Sequence, residues 1–81
     1  MNNLKVTDSK VVGVKQTIRA IKNNLASEVF LAQDCDDFIK NNVLLASTEA
    51  QLKVTYIKTM RELGEACGID REASAAAVLK T

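Results

Sequence analysis

The residues in this sequence whose types and spacing could do chemistry stand together in Gly13-Val14-Lys15-Gln16-Thr17-Ile18-Arg19-Ala20-Ile21-Lys22. Lys15, Arg19 and Lys22 fall four and three apart, so a helix would carry all three cations on one face, with Gln16 beside them in its first turn. Lysine and arginine donate to phosphates or base acceptors, while glutamine both donates and accepts. A helix start adds unpaired backbone N–H groups and the positive end of the helix dipole. Gly13, just ahead of it, has no side chain to hold a phosphate or nucleobase away. The chemistry these residues offer is the docking of a polyanion, RNA above all.

Elements flanking the stretch must hold it in place. Val14, Ile18, Ile21 and Leu25, spaced four, three and four, form the apolar stripe of a core-facing helix that runs to Asn23 or Asn24, asparagines being suited to a helix exit. Residues 1–9 are a polar lead-in with one short helical turn around Leu4 to Asp8, and Lys10-Val11-Val12 is a brief β-branched strand ended by Gly13. Glu28-Val29-Phe30-Leu31-Ala32 has the continuous apolar centre of a strand covered on both faces. Asp34, Asp36 and Asp37 supply N-cap oxygens for a second helix over Asp37 to Gln51, with Ile39, Val43, Ala46 and Ala50 on one stripe. Leu52 to Ile57 is a third strand, with Leu52, Val54 and Tyr56 alternating inward. Thr59-Met60-Arg61-Glu62 is a capping box that opens a short helix through Leu63 and Ala66, stopped by Gly68 in the left-handed conformation. For Ala73 to Leu79, propensity slightly favours helix, yet small residues after a glycine stop would also serve as a tightly packed strand. The element order implies a small α/β sandwich.

Composition bounds the remaining possibilities. Eighty-one residues make one domain, and a hydrophobic fraction of 47% is too high for a disordered chain. The longest apolar run, Ala75 to Leu79, has five residues, far short of the roughly 20 of a membrane span. Met1-Asn2-Asn3-Leu4-Lys5 lacks the apolar core of a signal peptide, so a cytoplasmic protein is expected, without membrane contact. Net charge is only +1, but residues 1–27 carry five cations against Asp8 alone, a net +4, and residues 28–81 carry six cations against nine acids, a net −3. A basic patch on an acidic body suits a protein that meets a polyanion at one place.

No enzyme class finds support in the residues. The chain has no histidine, which removes every His-based triad and metal cluster and leaves Cys67 without its usual activating base. Cys35 and Cys67 form no CxxC pattern and are expected to be reduced, packing as small apolar groups. Asp34, Asp36 and Asp37 lack the glycine and distal glutamate of a calcium loop and are better read as caps. Glu62 and Glu65 are explained by capping and by an i,i+4 pair of Glu65 with Arg61. No catalytic residue, metal or cofactor is expected. A competing class remains: the same domain used as a protein-interaction module, which the acidic surplus of residues 28–81 allows.

Two segments together carry a family resemblance. Gly13-Val14-Lys15-Gln16-Thr17 with Arg19, and Glu62-Leu63-Gly64-Glu65-Ala66-Cys67-Gly68-Ile69-Asp70, resemble the paired signatures of the ribosomal L-seven-Ae and L-thirty-e superfamily, and most closely its small bacterial kink-turn RNA-binding branch. The likeness runs from Lys10 to Leu79, with Val29-Phe30-Leu31-Ala32 between the motifs. It implies a single-domain, three-layer α-β-α sandwich around a mixed four-stranded sheet, which makes residues 74–79 a strand. It also implies recognition of an RNA kink-turn, where a three-nucleotide bulge abuts tandem sheared G·A pairs, in a ribosomal or other ribonucleoprotein setting. Residues matching Lys15, Gln16 and Arg19 contact the G·A pairs and nearby phosphates, and the loop matching Ile69 to Ala73 packs on an unstacked bulge nucleotide. The resulting RNA-binding set is Gly13, Val14, Lys15, Gln16, Arg19 and Lys22 together with Gly68, Ile69, Asp70 and Arg71, in a protein expected to be monomeric. Where the small bacterial members continue with a valine and small residues, this chain has Arg71-Glu72, adding one cation and one charge that repels phosphate.

Overall fold

The computed structural model describes residues 9–80, and the helical turn expected around Leu4 to Asp8 lies outside them. The elements are β1 (Lys10–Val12), α1 (Val14–Lys22), β2 (Ala26–Ala32), α2 (Asp37–Glu49), β3 (Val54–Ile57), α3 (Met60–Ala66) and β4 (Ala75–Leu79). The strands make one mixed sheet in the order β1-β4-β2-β3, with β2 and β3 parallel and β4 antiparallel to both its neighbours. α1 and α2 pack on each other over one face, and α3 covers β2, β3 and β4 from the other. This is the three-layer α-β-α sandwich expected.

β4 settles the segment where propensity and resemblance part. Ala77 sits opposite Val11 on one side and Val29 on the other, so both edges of the strand are hydrogen-bonded. Ala75, Ala76 and Ala77 are fully buried beneath helices on both faces, a place that admits only small side chains. Alanine's helix preference amounts to roughly 0.7 kcal/mol per residue at most, less than the cost of leaving the backbone of two neighbouring strands unpaired. Beside β4, Val29, Phe30, Leu31 and Ala32 are buried as their unbroken apolar run requires, although β2 starts two residues before Glu28, with an irregularity between Ala26 and Glu28.

Two expectations are corrected. The buried face of α1 is Thr17, Ala20 and Ile21, whereas Val14 and Ile18 are half-buried and Leu25, beyond the helix end, is exposed. Small Thr17 and Ala20 let the helix sit close to the sheet, which turns the larger Ile18 toward the rim. On β3, Tyr56 points out and is 46% exposed, and Leu52 precedes the strand, while Val54 and Ile57 lean inward. β3 is a short edge strand, so neither of its faces is covered evenly enough to enforce strict alternation.

The three helices among the described residues end in the same way. The residue after the cap is left-handed (Asn24 at φ 60°, Gln51 at φ 60°, Gly68 at φ 78°), and the next N–H reaches back five residues, from Leu25 to Ala20, Leu52 to Ser47 and Ile69 to Gly64. Asparagine and glycine tolerate that conformation, but glutamine does so only at a cost of about 1–2 kcal/mol. It also stops α2 at Glu49, short of the expected Gln51. Gln51→Gly is therefore expected to stabilise the fold by about 0.5–1 kcal/mol after the extra unfolded-state entropy of glycine is subtracted, read as a higher urea midpoint with an unchanged slope.

Candidate nucleic-acid interface

The carboxyl ends of β1, β2 and β3 and the amino end of β4 lie together at one end of the sheet. The Gly13 N–H donates to the Ala75 carbonyl at 2.8 Å and the Ala32 N–H to the Ser74 carbonyl at 2.9 Å. The start of α1 is thereby stitched to the end of the loop over residues 68–74. Open α/β sheets commonly bind ligands at the carboxyl ends of their strands.

At the α1 start, Gly13 adopts φ 111° and ψ 156°, a region open in practice to glycine alone. A Cβ there would lie 2.8 Å from Gln16 Oε1, so the missing side chain leaves the room that the Gln16 amide occupies. No side chain caps the helix and no acid stands in its first turn, leaving the positive end of the dipole facing outward. Lys15, Gln16, Arg19 and Lys22 are all exposed. Val14 is half-buried, packing in part against the core. Lys22 stands in the last turn, about 12 Å along the axis from Val14, and so belongs to the far end of the helix rather than its mouth.

The second segment is held by α3. Thr59 Oγ1 accepts from the Glu62 N–H at 3.0 Å, and Asp34 Oδ1, from the loop after β2, accepts from the Met60 N–H at 2.8 Å. Ala73 N–H donates back to the Met60 carbonyl at 3.0 Å, closing the loop against the helix start. Gly64, buried in α3, is crossed by this loop so closely that a Cβ would land on the Arg71 carbonyl oxygen and lie 2.9 Å from its carbon. Ile69 is half-buried and packs on the core, while Asp70, Arg71 and Glu72 are exposed. With Arg61 and Glu65 these residues line a shallow hollow of about 400 Å³. Arg61 and Glu65 form the expected pair, 3.7 Å apart. The loop side thus mixes charges, whereas the α1 side is purely cationic.

Two positioning residues escaped the sequence reading. Gly64 lies inside the segment Glu62 to Asp70, and an isolated glycine within a helical pattern is the signal of a close backbone approach. Of the aspartates expected to cap the second helix, Asp36 does so through the Phe38 N–H at 2.8 Å, whereas Asp34 serves α3 across the fold, which no local pattern reveals.

Cys35 and Cys67 are free and buried, and burial pushes both thiols above their ordinary range, with Lys40 and Lys10 respectively pulling back only in part. Both are expected to resist a disulfide-exchange reagent at pH 8 in the native state and to react fully in denaturant. Because the unfolded thiols ionise first, stability should fall as pH rises through the ordinary thiol range.

The family model described as "Ribosomal protein L7Ae/L30e/S12e/Gadd45 family" matches residues 1–81. The chain belongs to this family. Among L7Ae-type relatives, "RNA-binding protein YbxF" of Geobacillus stearothermophilus is 46% identical over 70 residues, covering 86% of this chain and 85% of the relative. An "RNA-binding protein" of Geobacillus thermodenitrificans (strain NG80-2) is 44% identical over the same length, with the same coverage. A solved structure, "The structure of a protein with unknown function from Bacillus halodurans C", superposes with a TM-score of 0.86 at 21% identity, over 99% of this chain and 80% of that one, and bears on the fold alone. No helix among the described residues of this L7Ae-family chain is long and apolar enough to cross a membrane. Among the same residues no cluster of three or more His, Cys, Asp or Glu could hold a metal ion.

Proposed function

We propose that this protein is a cytoplasmic, monomeric RNA-binding domain that recognises and stabilises a kink-turn, in a ribosomal or other ribonucleoprotein setting, and that it binds rather than catalyses. A-form RNA hides its base edges in a deep, narrow groove, so a specific reader needs a distorted site where those edges are exposed. The tandem sheared G·A pairs of a kink-turn provide one. In this reading Lys15, Gln16 and Arg19 engage the G·A pairs and flanking phosphates, while Gly13 and Val14 let the RNA come close to the helix mouth. Gly68, Ile69, Asp70 and Arg71 face the bulge, with Arg71 supplying a cation and Ile69 an apolar surface.

The observation that carries this reading is the 2.8 Å hydrogen bond from Gly13 to Ala75, which sets the uncapped, cationic start of α1 beside the loop that ends at β4. The RNA-binding names of relatives 44–46% identical support it from a separate direction. The test is a gel-shift titration with a kink-turn RNA and a control in which the two G·A pairs are replaced by Watson–Crick pairs. Tight, salt-sensitive binding of the first and weak binding of the second is the expected result. Equal binding of both would refute kink-turn recognition.

A further inference from the structure

α1 and α2 leave between them an open, mainly apolar groove of about 570 Å³, lined by Val14, Ile18 and Phe38, with Lys15, Arg19 and Lys22 along one side. Phe38 is 73% exposed, an unusual place for phenylalanine, and its backbone is pinned in the first turn of α2 by the bond to Asp36. Leu45, one face-repeat further along α2 and 60% exposed, lines the adjoining hollow with Ile18 and Lys22.

The charges around this groove are sorted by side. Every cation that lines it lies on α1, and none of the lining residues is a carboxylate. The acids nearby stand at the two ends of α2: Asp36 and Asp37 at its start, Asp37 paired with Lys40 at 3.9 Å, and Glu49 at its end beside the adjoining hollow. An occupant must therefore be anionic toward α1 and flat and apolar toward Phe38. A second copy of this chain fits poorly, because a self-pairing of this face would set α1 cations against α1 cations. A nucleotide meets both demands, with its base on the ring and its phosphate on the cations. Lys15 and Arg19 are also the residues assigned to the G·A pairs, so the groove continues the helix-mouth surface without a break.

We propose that the α1–α2 groove binds unpaired nucleotides that leave the folded RNA element, with a base stacked on Phe38 and phosphates on Arg19 and Lys22. This rests on the RNA-binding reading above and adds a second, single-stranded subsite to it. Phe38 supplies affinity there without reading sequence, since every base has a stackable face.

The experiment compares a blunt-ended kink-turn RNA with the same RNA carrying a four-uridine tail, placed on either strand in turn, against the full chain and its Phe38→Leu and Phe38→Tyr variants. The expected result is that one tail tightens binding about tenfold, roughly 1.4 kcal/mol. Phe38→Leu should abolish that gain, Phe38→Tyr should keep it, and blunt-RNA affinity should be the same in all three proteins. No gain from either tail, or a gain that survives Phe38→Leu, overturns the subsite and leaves kink-turn recognition standing; a groove that takes a protein segment instead would give this result. If the blunt RNA fails against its G·A-substituted control, octauridylate alone decides the groove. Weaker octauridylate binding by Phe38→Leu then upholds the subsite, and indifference overturns it.

Discussion

Replacing both Lys15 and Arg19 by alanine is expected to weaken kink-turn RNA binding by about 2–4 kcal/mol without unfolding the protein. Each side chain is exposed on the wet face of α1, and each specific contact of this kind is worth roughly 1–3 kcal/mol. The two stand one helical turn apart and share a target, so their losses should fall short of full additivity. The buried residues of the helix, Thr17, Ala20 and Ile21, are untouched, so the urea midpoint should move by the equivalent of about 0.5 kcal/mol at most. Removing two cations should also flatten the salt dependence, lowering the slope of log affinity against log salt by about one to two. A double variant that binds like the parent in fluorescence anisotropy would remove α1 from the interface.

The second large effect is structural. Gly64→Ala is expected to destabilise the fold by about 2–3 kcal/mol, a large share of what an 81-residue domain has to spare. Alanine favours the helix by up to about 1 kcal/mol, but its methyl would occupy the space of the Arg71 carbonyl. The obstacle is backbone, which cannot swing aside as a side-chain tip can, so the loop must lift from α3. Lifting it strains the bond from Ala73 to the Met60 carbonyl and the seat of Ile69 on the core, placing the change among costly overpackings. Urea denaturation measures the loss, and amide spectra should show their largest shifts over residues 69–74. A variant as stable as the parent, with that loop unmoved, would contradict the close approach.

Much of this arrangement could be read from local chemistry. Gly13 before α1, Thr59 as the hydroxyl cap of α3 and Gly68 as the left-handed stop after α3 each impose a conformation that neighbours alone determine, and each is found. The continuous run Val29 to Ala32 declared a strand buried on both faces. What escaped depends on distant partners. Ala75 to Ala77 are strand, as the family resemblance implies and propensity does not, because β1 and β2 flank them. Tyr56 is exposed because β3 lies at the sheet edge, and the inward face of α1 was misjudged because threonine and alanine, weak apolar signals, mark its closest approach to the sheet. At the candidate interface, the sequence supplied the residue types and the two segments. That Gly64 carries the crossing loop and that Asp34 reaches across to α3 are tertiary facts.

The position of β4 also bears on the order of events during synthesis. The strand latest in the chain is the one inserted between β1 and β2, so until Leu79 has left the ribosome the earlier strands face each other across a gap. The nascent polypeptide must keep two open edges apart, and the sheet closes by a pairing of high sequence separation, the slow kind. The Gly13 to Ala75 link forms in that same closing step, so the candidate interface matures only once β4 has joined the sheet.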